Sequence, residues 1–278
     1  MNNLKKTLDE KPSLKICGAF DGLTARLIEQ NGFDAVWASG FSISASKCIP
    51  DSNVLSAEEL LNRVDEMLNS ISIPIIVDCD EGYGTLSNSL RLVKRLINRG
   101  VQGICIEDNI YPKSNSFMVN VEHNLVKEKD FCKKISSIKC NVPETLLIAR
   151  TETLIVNELM LEEAIQRGTS YAKSGADLIL IHSKYKELYS FKTLIRSWTD
   201  ETPLVVIPTL APQISFDSLS KLGFKMVIYS NQILRASIYA IKNTLHSLGN
   251  NNVQIPMTDN EIVSMDEIFE LTKLNWKI

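Results

Sequence analysis

Eight short apolar runs, rich in β-branched side chains, recur along the chain: LKICGAF (14–20), DAVWASG (34–40), IPIIVDCD (73–80), QGICIED (102–108), TLLIART (145–151), DLILIHS (177–183), PLVVIPT (203–209) and KMVIYS (225–230). They are apolar on both faces instead of alternating, which predicts strands covered by helices, as parallel sheets require. The stretches between them read as helices over 22–31, 56–69, 87–99, 124–138, 157–174, 188–198 and 213–222, with two more at 233–248 and 263–273. Ser56 stands as an N-cap with Glu59 three residues on, a capping box. The glycines of NRGVQG, KSGAD and KLGFK fall where helices must end in a left-handed residue before the next strand. Eight regular βα units predict an α/β chain closed as a (β/α)8 TIM barrel, in preference to an open doubly wound sheet. No Gly-x-Gly-x-x-Gly turn supports dinucleotide binding. The barrel is expected to be a single domain over 1–278, with 249–278 as a C-terminal helical extension entered through the polar stretch LGNNNVQ (248–254).

Composition narrows the function. The chain has 278 residues, 44% hydrophobic, and its 30 basic and 33 acidic residues leave a net charge of −3, so no strong field favours nucleic acid or an anionic membrane. No run of about 18 apolar residues suggests a membrane span, and the N-terminus lacks a signal-peptide core. A cytoplasmic enzyme of small-molecule chemistry is the reading. The six cysteines are scattered without any CxxC pair, as reduced packing residues would be. With only three histidines, a zinc cluster is a poor fit.

In a barrel, the C-terminal strand ends share one mouth, and polar residues there are functional candidates. The runs end in Trp37, Ser39 and Gly40; Asp78 and Asp80; Glu107 and Asp108; Arg150 and Glu152; His182 and Ser183; Pro208 and Thr209. Three or four carboxylates at one mouth repel unless a cation or protons neutralise them. Hard oxygen donors with few histidines point to Mg2+ or Mn2+, with Asp78, Asp80 and Glu107 as the metal set. The competing reading has these carboxylates capping helices or pairing with Arg150. Arg150, at the end of an apolar strand, suits a ligand carboxylate or phosphate, with Glu152 as the rival partner. His182 is either hydrogen-bonded filler or a ligand contact.

The pieces VWASGFSISAS (36–46), PDSN (50–53), PIIVDCDEGYG (74–84), GICIEDNIYPKSNSF (103–117), IART (148–151), LIHSK (180–184) and RAS (235–237) resemble, in order and through nearly the whole chain, the phosphoenolpyruvate mutase and isocitrate lyase superfamily. The nearest branch is the phosphoenolpyruvate phosphomutase family. The resemblance implies a barrel whose last helix is swapped between subunits, assembled as a homotetramer, a dimer of dimers. It implies Mg2+ on Asp78, with Asp80 and Glu107 acting largely through water. It aligns Trp37, Ser39, Gly40 and Phe41 with a loop holding the pyruvyl part of the substrate, and Asp51 with an aspartate beside a migrating phosphoryl group. Lys113, Asn115 and Ser116 fall in a gating loop, and Arg150 and His182 align with substrate contacts. The activity implied is the interconversion of phosphoenolpyruvate and phosphonopyruvate, the C–P bond-forming step of phosphonate biosynthesis.

Two residues depart from the mutase pattern: Asn109 where lysine is usual, and Phe41 where leucine is usual. The first removes a cation near the metal carboxylates; the second keeps an apolar side chain and its amide. Phosphonopyruvate hydrolase is the nearest alternative, and Asn115 in PKSNS favours the mutase. A C–C bond lyase of the superfamily is the next, but its gating-loop cysteine is missing from KSNSF. The third alternative is a non-catalytic barrel that senses an acidic metabolite.

Overall fold

The computed structural model describes residues 3–118, 120–250 and 262–273. Its strands are β1 (Leu14–Ala19), β2 (Ala35–Ala38), β3 (Ile75–Asp78), β4 (Gly103–Glu107), β5 (Leu146–Thr151), β6 (Leu178–Ile181), β7 (Leu204–Val206) and β8 (Met226–Tyr229). They pair in sequence order, and β8 returns to β1 in parallel to close the barrel. Each of the eight apolar runs became one strand, trimmed by one to four residues. Closure is tight. A Cβ on Gly18 of β1 would lie 2.0 Å from the Ser230 carbonyl oxygen just beyond β8.

Side chains fill the interior. Leu14, Ile16, Trp37, Ile76, Cys105, Ile148, Leu180, Val205 and Ile228 form one buried cluster, and Leu4 and Leu8 join it from a helix the sequence reading missed, α1 (Leu4–Glu10). The Leu4 amide donates to Gln102 Oε1 at 2.7 Å, immediately before β4, so α1 covers the N-terminal end of the barrel. Burying each leucine contributes roughly 1.5–3 kcal/mol.

Around the barrel run α2 (Gly22–Gln30), α3 (Gly40–Ser46), α4 (Ala57–Ser70), α5 (Leu86–Ile97), α6 (Glu128–Asn141), α7 (Thr153–Val156), α8 (Leu161–Lys173), α9 (Leu188–Ser197) and α10 (Phe216–Leu222). Ser56 and Glu59 make the predicted reciprocal cap on α4. Gly100, Gly175 and Gly223 have φ of 98°, 107° and 108°, the left-handed conformation anticipated after α5, α8 and α10. The six cysteines are free. Among the described residues no helix is long and apolar enough to cross a membrane.

The chain divides into two compact units, Met1–Gln232 and Ile233–Ile278. The first contains the complete barrel. The second holds most of α11 (Gln232–Asn250) and all of α12 (Met265–Thr272). Residues 251–261 and 274–278 of the anticipated terminal extension lie outside the described residues.

Candidate active site

The site is built on the ends of β2 to β6. Beyond β3 the chain keeps pairing with β4, the Cys79 amide donating to the Cys105 carbonyl at 2.9 Å and the Glu107 amide to the Asp80 carbonyl at 2.8 Å. It then turns through DEGYG with φ of 49° at Asp80, 97° at Gly82, 59° at Tyr83 and 103° at Gly84. Left-handed aspartate and tyrosine are uncommon, and such backbone is kept where surrounding contacts fix it. The turn buries Asp78, Asp80 and Glu81, while β4 delivers the buried Glu107 and Asp108. This is why an apolar strand runs into so much negative charge.

Burial drives Asp78 and Asp80 toward protonation. It raises Asp78 to about 6 and Asp80 well above the carboxylate range, in both cases against the pull of nearby cations. Asp80 Oδ1 and Glu107 Oε2 are inaccessible and accept no well-aligned hydrogen bond, although Lys113 Nζ lies 2.6 Å from the first and Arg150 Nε 3.2 Å from the second. Asn109, the departure from the mutase pattern, donates through Nδ2 to Glu107 Oε1 at 2.6 Å, so it orients this carboxylate without supplying charge.

Opposite lies the loop 110–118. Lys113 Nζ bridges Asp80 and Asp51, at 2.6 and 3.1 Å, with both side chains at most 7% exposed. Although burial opposes its charge, Asp80, Glu107 and Asp51 raise the Lys113 pKa well above its ordinary value, so it stays an ammonium. Asn115 Nδ2 donates to Asp51 Oδ2 at 2.7 Å. Ser116 Oγ donates to Glu152 Oε2 at 2.6 Å, and Phe117 meets the His182 ring edge-on with centroids 5.7 Å apart. The loop is thus closed over the strand ends.

Arg150 does pair with Glu152, as the rival reading had it, but also reaches Glu107, Ser116 Oγ and His182 Nδ1. Glu152, named from the sequence as a strand-end residue but given no role in the site, is the hub: it is 0% exposed, accepts from Arg150 and Ser116, and lies 2.7 Å from His182 Nδ1. Despite burial, Arg150 and His182 hold its carboxyl below the usual range, so it is an anion. The Glu152 amide donates to Asp108, which also accepts from Thr151 and from Tyr171 of α8. His182 is lowered by burial and by Arg150, leaving a neutral ring.

On the β2 side, Trp37 packs in the barrel core with its indole N–H unpartnered. Ser39 caps α3 by accepting from the Ser42 amide at 3.2 Å. Gly40 faces the acid cluster so closely that a Cβ would lie 3.2 Å from Asp80 Oδ1. Phe41 is half-buried on the first turn of α3.

Five carboxylates (Asp51, Asp78, Asp80, Glu107, Glu152) therefore face two side-chain cations, Lys113 and Arg150. The excess buried charge and the orphaned oxygens fit a hard divalent cation. Among the described residues no three Asp, Glu, His or Cys side chains converge as a ready-made ligand cage.

Fold and site together define a barrel enzyme of the phosphoenolpyruvate mutase and isocitrate lyase superfamily. Within it, the family model described as phosphoenolpyruvate phosphomutase matches residues 4–248, and the chain belongs to that family. A phosphoenolpyruvate phosphomutase of Tetrahymena pyriformis is 34% identical over 270 residues, 96% of this chain and 89% of the relative. The crystal structure of a phosphoenolpyruvate phosphomutase from Streptomyces platensis subsp. rosaceus superposes with a TM-score of 0.92 at 35% identity, covering 97% of this chain and 93% of that one. A phosphonopyruvate hydrolase complexed with oxalate and Mg2+ gives 0.88 at 33% identity, covering 97% and 93%.

Proposed function

We propose that this enzyme interconverts phosphoenolpyruvate and phosphonopyruvate with Mg2+. The observation that carries the reading is the closed loop 110–118, which brings Lys113 and Asn115 onto the Asp51 carboxylate directly across from the acid cluster. Cleaving the P–O bond of phosphoenolpyruvate leaves both electrons on oxygen as a pyruvate enolate. Attack of the enolate carbon on the same phosphorus makes the C–P bond. The migrating group resembles metaphosphate, so its transfer depends on positioning and charge. Lys113 and Arg150 are permanently cationic and flank the space where its oxygens would lie; Asn115 and neutral His182 add polarity, and Ser116 fixes Arg150. Asp51, held between Lys113 and Asn115, would steer the group toward carbon.

Asp78 would hold Mg2+ directly, with Asp80 and Glu107 through water, and the ion would supply Lewis-acid stabilisation of enolate charge. The hydrolase relative, solved with oxalate and Mg2+, supports that choice; Mn2+ shares the same preference for hard oxygen donors. Trp37, Ser39, Gly40 and Phe41 would form the pyruvyl side, with the Gly40 and Phe41 amides facing the oxygens. The loop excludes water, without which hydrolysis would compete. A reduced cytoplasmic setting, consistent with free cysteines, and a homotetramer with α11 exchanged between subunits complete the proposal.

The test is incubation of the purified protein with phosphonopyruvate and Mg2+ under phosphorus NMR. Growth of the phosphoenolpyruvate resonance is the expected outcome. Inorganic phosphate alone would make the chain a hydrolase, and EDTA-sensitive binding without turnover would make it a sensor.

A further inference from the structure

The contacts that close loop 110–118 fall into two sets. Lys113 to Asp80 and Asn115 to Asp51 end on groups assigned to the chemistry, and Ser116 to Glu152 ends on the carboxylate that holds Arg150, so a ligand entering the site must disturb them. At the middle of the loop a different contact is made. The Lys113 backbone N–H donates to Asn53 Oδ1 at 2.6 Å, and Asn53 Nδ2 donates to Glu81 Oε2 at 2.8 Å. The other Glu81 oxygen accepts from the Gly84 amide at 2.9 Å, and the carboxylate is buried, at 1% exposure. Lys134 Nζ bonds the Glu81 carbonyl oxygen instead of the carboxylate.

The orientation of Asn53 is dictated from both sides. A carboxylate accepts only, so the amide nitrogen must face Glu81, which leaves the amide oxygen for the Lys113 N–H. Asn53 has a φ of 58°, which asparagine tolerates better than most residues. The acid turn, the 51–53 turn and the loop are thereby tied through Glu81, Asn53 and the main chain of Lys113. Because the tie grips backbone, the Lys113 ammonium can leave Asp80 for a phosphoryl oxygen while the loop stays shut.

We propose that Glu81 and Asn53 form a latch on loop 110–118 and so determine whether the phosphoryl group is captured by the enolate carbon or by water; the second half of this rests on the mutase reading. Both are positioning residues, since neither is placed against substrate.

Two variants test it. Asn53→Gly keeps the left-handed backbone and removes both side-chain bonds. Glu81→Gln preserves shape but presents one oxygen to two donors. Hydrogen exchange on the protein without metal or substrate should show amides of 110–118 exchanging about tenfold faster in both variants, the loss of one hydrogen bond, with the barrel strands unchanged. Phosphorus NMR with phosphonopyruvate and Mg2+ should show the ratio of phosphate released to substrate isomerised rising by a similar factor, with KM moving less. Wild-type exchange in 110–118 of Asn53→Gly would overturn the latch. Faster exchange with an unchanged ratio would overturn its control of the acceptor. Should the wild-type protein not isomerise phosphonopyruvate at all, the mutase reading fails, and the exchange measurement still decides the latch.

Discussion

Asp78 is one of three carboxylates, with Asp80 and Asp108, that burial raises. Burial raises it to about 6 from an ordinary 3.8, so between those values the folded protein binds a proton that the unfolded chain does not. Stability therefore increases as pH falls through that window. Asp80 and Asp108, also raised by burial, reinforce this trend, whereas His182, lowered by burial, opposes it as pH falls through about 6.5, and Glu152, held low by Arg150 and His182, opposes it only below about pH 4.5. The three raised carboxylates outweigh the one lowered histidine, so the metal-free protein should melt at a higher temperature at pH 5 than at pH 7, and Asp78→Asn should reduce that slope without abolishing it. With saturating Mg2+ the slope should reverse, because the ion competes with the proton for the carboxylate; calorimetry across pH checks all three. Asp51→Asn should lower kcat by about 10²–10³-fold, the usual cost of removing one preorganised polar group, with the circular dichroism spectrum unchanged. The strand-end carboxylates, Arg150 and His182 were legible in the sequence because a charged residue after an apolar run has few places to go in a barrel. Glu152 was visible there as a strand-end residue and a rival partner of Arg150, not as a hub. Its convergence with Ser116 and His182 joins residues 30 or more apart, and no spacing rule encodes that.

Helix ends were legible where a side chain makes the stop or the start. Ser56 and Glu59 close α4 reciprocally, so Ser56→Ala should cost about 1 kcal/mol and lower the melting point by roughly 2 °C in a chain of this size, readable by calorimetry. Where a boundary depends on another part of the chain, the sequence pattern slipped. The helix anticipated from 124 begins at Glu128, because Leu125 bridges to Asn109 and the Val126 amide donates to the Asp108 carbonyl. The one anticipated from 157 begins at Leu161, since Asn157 Oδ1 accepts from the Leu159 amide and forms a turn first. Short α3, rich in serine, has weak helix propensity and exists because Ser39 caps it at the barrel mouth.

At the scale of the molecule, α11 carries Leu234, Ile238, Ile241, Leu245 and Leu248 at alternating spacings of four and three, the repeat of a helix that packs along one seam. The last four are 46–61% exposed in the single chain. If subunits exchange this helix, as proposed, Ile241→Glu combined with Leu245→Glu should shift the sedimentation coefficient toward the monomer, while the barrel's own melting transition persists. Sedimentation velocity checks it.

The seam between first and last strands carries its own evolutionary consequence. A methyl group at position 18 would overlap the Ser230 oxygen, and both that oxygen and the Gly18 Cα that would carry the methyl belong to main chain, which cannot swing aside as a side chain could. Random mutagenesis followed by selection for soluble protein should return glycine alone at this position, whatever reaction the site performs. A descendant that took up a different substrate could exchange every side chain at the mouth and still inherit this residue unchanged.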